Sequence, residues 1–190
     1  MRYEREHKTQ TRDRIVRNTA RKLRAEGLKG PGVASVMKAS GLTVGGFYKH
    51  FRGKHELFAE AIAQAFSDSE KVYSSLQDVP REDRWKEVVR RYLSPEHCDH
   101  PETGCPVAAL APEIARAKLT VRKQISSLMK ERAERWVEFM PGATAPERER
   151  NFFVIFSAMA GAVSIARLLT EPAEREKVLV SVRDHLLHSF

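Results

Sequence analysis

The run Ser40-Gly41-Leu42-Thr43-Val44-Gly45-Gly46-Phe47-Tyr48-Lys49-His50-Phe51 decides the fold. Gly41 can take the positive φ of a tight turn, Leu42 can plug a small core, and Thr43 is a good N-cap for a following helix. Phe47 and Phe51 stand four apart, so both can face inward, toward Ile15, Val36 and Leu57. Thr43, Val44, Gly46, Tyr48, Lys49 and His50 are left on or near the outward side. Upstream, a short helix from about Val33 to Ser40 follows the break Gly30-Pro31-Gly32. Helix, glycine-containing turn, helix is the grammar of a helix-turn-helix.

Working outward, the pattern stays helical, with little β-branched alternation. A first helix is expected from about Thr9 to Glu26, with Ile15, Val16, Ala20 and Leu23 on one face and Gly27 at its end. After the break Arg52-Gly53 a longer helix starts near Lys54 or His55 and carries Leu57, Phe58, Ala61, Ile62, Ala65 and Phe66. Further helices are expected near Arg84–Leu93, Val107–Ala117, Thr120–Phe139, Glu147–Leu169 and Ala173–Leu187. Ser94–Pro106 reads as a loop, and Pro141-Gly142 and Pro146 as breaks.

Charge is segregated along this pattern. Residues 1–62 hold 14 Lys and Arg against 6 Asp and Glu, whereas residues 63–190 hold 19 of each. The whole net charge of +8 therefore sits in the first third, the footprint of a head that touches a polyanion. Charge alone does not choose among DNA, RNA and an anionic membrane surface. The basic first helix has a weak apolar face, which disfavours the membrane. The longest uncharged run, Asn151 to Ala166, is shorter than the roughly 20 residues of a spanning helix. The N-terminus has no apolar signal region, and two cysteines make no disulfide framework, so a cytoplasmic protein is expected.

Three elements at fixed spacing carry a resemblance: the turn glycine Gly41, the run Phe47-Tyr48-Lys49-His50-Phe51, and Lys54 opening the next helix ahead of Leu57-Phe58. Over about residues 9–62 the chain resembles the TetR family of transcriptional regulators. The resemblance implies an all-α protein with a three-helix helix-turn-helix head at residues 1–53. A helical ligand-binding and dimerisation domain would fill residues 54–190. It implies a homodimer on pseudo-palindromic double-stranded DNA, an unidentified small-molecule effector, a repressor role, no cofactor and no enzymatic activity. The DNA-binding residues expected are Thr43, Val44, Gly45, Gly46, Tyr48, Lys49, His50 and Lys54. Chemistry agrees: Tyr48 and Lys54 can hold phosphates, Thr43 can donate a hydrogen bond, and Val44 offers contact to a thymine methyl. Gly45 and Gly46 let the backbone approach the bases closely. Few direct hydrogen bonds to base edges follow, so Lys49 or DNA shape carries more of the specificity.

In the second domain, residues 151–166 are apolar all round, with Ala158, Ala160, Gly161, Ala162 and Ser164 in the small second half. Such a helix must be covered on every side, which points to a two-fold, four-helix interface built from it and the last helix, an ordinary core helix of a monomer being the other reading. An effector cavity would be lined by Trp85, Cys105, Met129, Trp136, Phe139 and Phe152, although aromatics and Met at helical spacing are more often plain core. Cys105, just before Pro106, is expected at the N-cap of the next helix, a place that suits a reactive thiol more than Cys98 in mid-loop. The loop His97–Cys105 offers two His, two Cys and two carboxylates. A metal-dependent enzyme built on it is the alternative function, but its spacing fits no common zinc pattern and one loop supplies no distant partner.

Overall fold

A computed structural model describes residues 2–190, with side chains placed for residues 6–70 and 75–190. Helices α1 (Arg2–Glu26), α2 (Val33–Ala39) and α3 (Lys54–Ser74) enclose a 3-10 helix, Val44–Lys49. Then come α4 (Arg84–Tyr92), α5 (Pro95–Asp99), α6 (Pro106–Ala115), α7 (Leu119–Val137), α8 (Ala145–Ala166) and α9 (Pro172–Ser189). The fold is all-α, as the sequence predicts; no strand occurs among the described residues.

Proline accounts for most of the differences from the sequence reading. Pro146 and Pro95 do not break the chain; each sits in the first turn of a helix, where the missing N–H costs nothing. Thr144 and Glu147 form a reciprocal capping box that starts α8 two residues earlier than expected. Ser94 accepts from the His97 N–H at 3.2 Å and nucleates α5 inside what reads as loop, so Cys98 lies in a helix rather than in mid-loop. Pro112 lies inside α6 and cannot donate to the Ala108 carbonyl four residues back; the Ser164 hydroxyl of α8 stands 3.0 Å from that oxygen instead. Ser164 therefore faces α6.

Three apolar clusters organise the packing. Ile15, Val16, Val36, Met37, Phe47, Phe51 and Leu57 form the small core of the head. A middle cluster joins Ala20 and Leu23 of α1 and Ala61, Ile62, Ala65 and Phe66 of α3 to Leu110, Ile114 and Ile125 of α6 and α7. The large cluster holds Trp85, Tyr92, Trp136, Phe152, Phe156 and Met159, closed by α9 through Leu179 and Leu186. α3 thus packs by its first turns into the head and by its later turns into the body.

Candidate nucleic-acid interface and body cavity

The reading segment is a 3-10 helix rather than a full α-turn. Two successive glycines, Gly45 and Gly46, weaken α-helix formation, and the tighter winding still turns Phe47 into the head core. Gly41 adopts φ 69°, the turn conformation expected of it. Thr43 takes the N-cap position with extended backbone, but its side chain makes no capping bond and stays exposed. Phe47 stacks on Phe51 at 5.6 Å, and Tyr48 packs edge-on against Phe47 while remaining 76% exposed. Val44 and Lys49 are also exposed. An aromatic and an aliphatic side chain thus stand open to solvent beside Lys49. Lys54 begins α3 with its ammonium 4.7 Å from the Phe58 ring centre, which fixes the direction of the charge.

Thr43, Val44, Gly45, Tyr48, Lys49 and Lys54 are therefore exposed on one continuous stretch, with Gly46 half-buried beside them. His50 differs: its ring is half-buried and Nδ1 has no partner among the described residues. Burial, helped by Lys8, Arg12 and Lys49, pushes its pKa below the usual imidazole value, so His50 is neutral near pH 7 and offers a hydrogen bond rather than a charge.

Two residues outside the motif hold the segment in place. Arg12 of α1 stacks over Phe51 at 4.6 Å, donates to the His50 carbonyl at 3.4 Å, and pairs with Glu60 and Glu56 of α3. The Glu60 hydrogen bond raises the Arg12 pKa further. Asn18 donates to the Ala39 carbonyl and to the Ser40 hydroxyl, both at 3.1 Å, tying α1 to the end of α2. Neither stands out in sequence; the only signal is that both are polar residues flanking the apolar stripe of the first helix.

The body contains a cleft of about 820 Å³ between α3, α4, the residues before α6, and α7. Its wall includes Ser69, Tyr92, His97, Glu102, Cys105 and Arg132. Of the expected lining residues only Cys105 is there. Trp85, Trp136 and Phe152 are buried in the large cluster, with Phe139 and Met129 packed against it. Trp136 meets Phe139, Phe152 and Phe156 at 5.7–6.0 Å, so the aromatics are core, as their spacing equally allowed.

Cys105 does cap α6. Its Sγ is 3.8 Å from Nη1 of Arg132, a guanidinium 1% exposed that also pairs with Glu70 at 2.6 Å, bonds Ser69 and lies over Phe66 and Phe156. His97 spends both ring nitrogens on backbone. Nδ1 lies 2.7 Å from the Tyr92 carbonyl, and Nε2 accepts from the Cys105 N–H at 2.9 Å. This fixes the Nδ1–H tautomer, and burial lowers the pKa. His97 has no lone pair left for a metal, and among the described residues no three His, Cys, Asp or Glu side chains converge.

The cleft wall is wired to the head. Arg24 of α1 donates to the Glu102 carbonyl at 2.8 Å and to the Ala65 carbonyl at 3.1 Å; its burial lowers the guanidinium pKa, which Asp68 partly offsets. At the far end of α6, the Glu113 carboxylate accepts from the Leu28 N–H just beyond α1. These bonds join residue 102 and the end of α6 to α1.

Residues 15–61 match the family model of the bacterial regulatory proteins, tetR family. Among solved structures, a TetR transcriptional regulator from Chloroflexus aurantiacus J-10-FL is 22% identical, with a TM-score of 0.78 over 95% of this chain and 94% of that one. A TetR-family regulator from Cytophaga hutchinsonii is 19% identical, with a TM-score of 0.78 over 96% of both chains. E. coli NemR in its reduced form is 14% identical, with a TM-score of 0.75 over 93% and 95%. No curated protein matches the chain. The head is a helix-turn-helix of the tetR type, and the chain as a whole has the fold of the DNA-binding transcriptional regulators of the TetR family.

Proposed function

We propose that the protein is a homodimeric, effector-responsive repressor that binds pseudo-palindromic operator DNA in the cytoplasm. The observation that carries this reading is the exposed set Thr43, Val44, Gly45, Tyr48 and Lys49, with Lys54, on a head that holds the entire net positive charge. In it, Tyr48 and Lys54 hold phosphates, Val44 and the Gly45-Gly46 backbone approach base edges, and Thr43, Lys49 and His50 supply the remaining polar contacts. Dimer formation is supported by α8. Val154, Ala158, Gly161, Ile165 and Leu168 follow one another at steps of four and three, a seam-like stripe, and Val154, Ile165 and Leu168 are exposed on the protomer. Effector response is supported by the cleft and by the Arg24 and Glu113 links from its wall to α1. An occupant that fits the cleft only when residues 102–105 move would favour a head spacing that misfits the operator.

Lys54→Ala and Tyr48→Phe test the assignment of phosphate contacts. Both weaken binding to all DNA sequences about equally, and Lys54→Ala flattens the dependence of log K on log salt by about 0.9 for each protomer bound. Binding titrations on several duplexes over a range of salt check this; a changed base preference at unchanged overall affinity refutes it.

The cleft also makes a prediction for the thiols. Cys105 lines it, whereas Cys98 is buried against Arg175 and borders only a small recess. Brief treatment with a small alkylating agent is expected to modify Cys105 first, and the adduct at the first turn of α6 to release DNA. Mass spectrometry of the labelled protein reads the order; equal or slower labelling of Cys105 refutes it, and release that persists in Cys105→Ser removes the thiol from the response.

A further inference from the structure

α7 runs alongside α3 in the same direction. Gln124 donates to the Ala59 carbonyl at 3.2 Å, and eight residues later Arg132 meets Ser69 and Glu70. Five residues back from Gln124 is Leu119; five back from Ala59 is Lys54. At a rise of about 1.5 Å per residue in both helices, the start of α7 reaches the level of the start of α3. That is the level at which Lys54 is exposed on the head.

The residues at this level are unusual for the body. Positions 116–123 hold Arg116, Lys118, Arg122 and Lys123 and no acidic residue. The remainder of residues 63–190 consequently carries an excess of four acids. All four cations are exposed, and none is in an ion pair among the described residues. Elsewhere in the body many cations are spent on acids, Lys86 on Asp83, Arg91 on Glu87, Arg135 on Glu70 and Arg175 on Asp99, and the exposed Lys130, Arg150 and Lys177 each stand singly beside an acidic neighbour in sequence. The segment is also well anchored. Val121 packs against the middle cluster that α1 and α3 share, so its position is tied to the head and not to a loose loop. The nearest acid on the preceding helix, Glu113, is occupied by the Leu28 N–H. Unpaired like charges crowded together repel one another unless a polyanion is near.

We infer that the segment from Arg116 to Lys123 is a second phosphate-contacting surface, through which the body grips the backbone of the same duplex that the head reads. The footprint on DNA is then wider than the head alone accounts for, and part of the affinity comes from residues that also sit at the end of α6. This rests on the DNA-binding reading above, and the two can fail separately.

The test is the combined variant Lys118→Ala, Arg122→Ala, Lys123→Ala, titrated with a mixed-sequence duplex several helical turns long over a range of salt. Lys54→Ala serves as the reference for the head and Lys177→Ala, an exposed cation on α9, as the control. The inference predicts a slope of log K against log salt flatter by about two to three for each protomer bound, at about 0.9 per phosphate contact, with affinity lower by at least about tenfold. It also predicts that phosphate ethylation interferes at positions in the wild-type complex that become silent in the triple variant. Replacing the two lysines by arginine instead restores both readouts. A triple variant with the wild-type slope and the wild-type ethylation pattern, while Lys54→Ala flattens the slope, overturns the inference and leaves the head reading intact. An affinity loss at unchanged slope likewise overturns it, as a structural effect. If Lys54→Ala and the triple variant both leave the slope unchanged, the DNA-binding reading itself fails.

Discussion

Phe47→Ala is expected to abolish DNA binding by melting the head while leaving the body folded. Phe47 is 1% exposed, stacks on Phe51, supports Tyr48 edge-on, and belongs to a head core of only seven buried side chains. Truncating a buried phenylalanine costs about 3–5 kcal/mol, a large share of what so small a core supplies. The 3-10 helix has no other apolar anchor: Val44, Tyr48 and Lys49 are exposed and Gly45 and Gly46 have no side chain to bury. The body keeps its own large cluster around Trp136 and Phe152. Urea denaturation followed by tryptophan fluorescence should leave the body transition in place, because Trp85 and Trp136 both lie in that cluster. DNA binding falls below detection at the same time. A variant that binds within a few-fold of wild type contradicts this account of how the reading segment is held.

Gly161→Leu is expected to give a folded monomer with strongly weakened operator binding. A Cβ at Gly161 would meet nothing within 4 Å in the protomer, so the larger side chain is tolerated there. The same position is the centre of the stripe Val154, Ala158, Gly161, Ile165, Leu168, exposed at Val154, Ile165 and Leu168 and half-buried between them, where a leucine would hold a second helix away. Losing the partner removes the second head, and with it an avidity of about 10²–10⁴. Light scattering reads the mass, circular dichroism the helicity, and titration with paired and single half-sites the affinity. A dimer of unchanged stability in this variant, or a native protein that is already monomeric, contradicts the assignment of α8 to the interface.

The head was legible because its grammar is local. Gly41 needs its positive φ, and Phe47 and Phe51 need one side of a short helix; both follow from positions within twelve residues. The helix content was legible from periodicity, yet helix starts were not. Pro95, Pro106, Pro146 and Pro172 all open helices here. A proline between two periodic stretches reads the same whether it ends one helix or begins the next, and only the cap in front of it decides. The 3-10 winding of Val44–Lys49 is a compromise between two glycines and one buried ring, and no periodicity marks it.

The cleft was the least legible part. It lies where separated segments meet, and most of the residues that line it are of polar type: Ser69 from α3, Glu102 before α6 and Arg132 from α7 among them, beside Tyr92 from α4 and Cys105. Sequence reasoning looks for cavities among aromatics, and here the aromatics filled the core. Cys105 was found because a residue ahead of a proline at a helix start is a local signal. Arg132 was not, because nothing in Leu119–Val137 distinguishes a buried arginine from the exposed Lys123 or Lys130. The buried Arg24, which joins α1 to the cleft wall, is hidden in the same way within a basic helix.

Selection of bound duplexes from random-sequence DNA tests the central claim most directly. Two tetR-type heads on a two-fold dimer predict an enriched pair of inverted half-sites, with centres about one helical turn or more apart. Within each half-site, thymine preference opposite Val44 and few strictly fixed bases are expected, since Gly45 and Gly46 carry no side chain to read with. Enrichment of a single asymmetric site, or recovery of no preferred sequence at all, would contradict it.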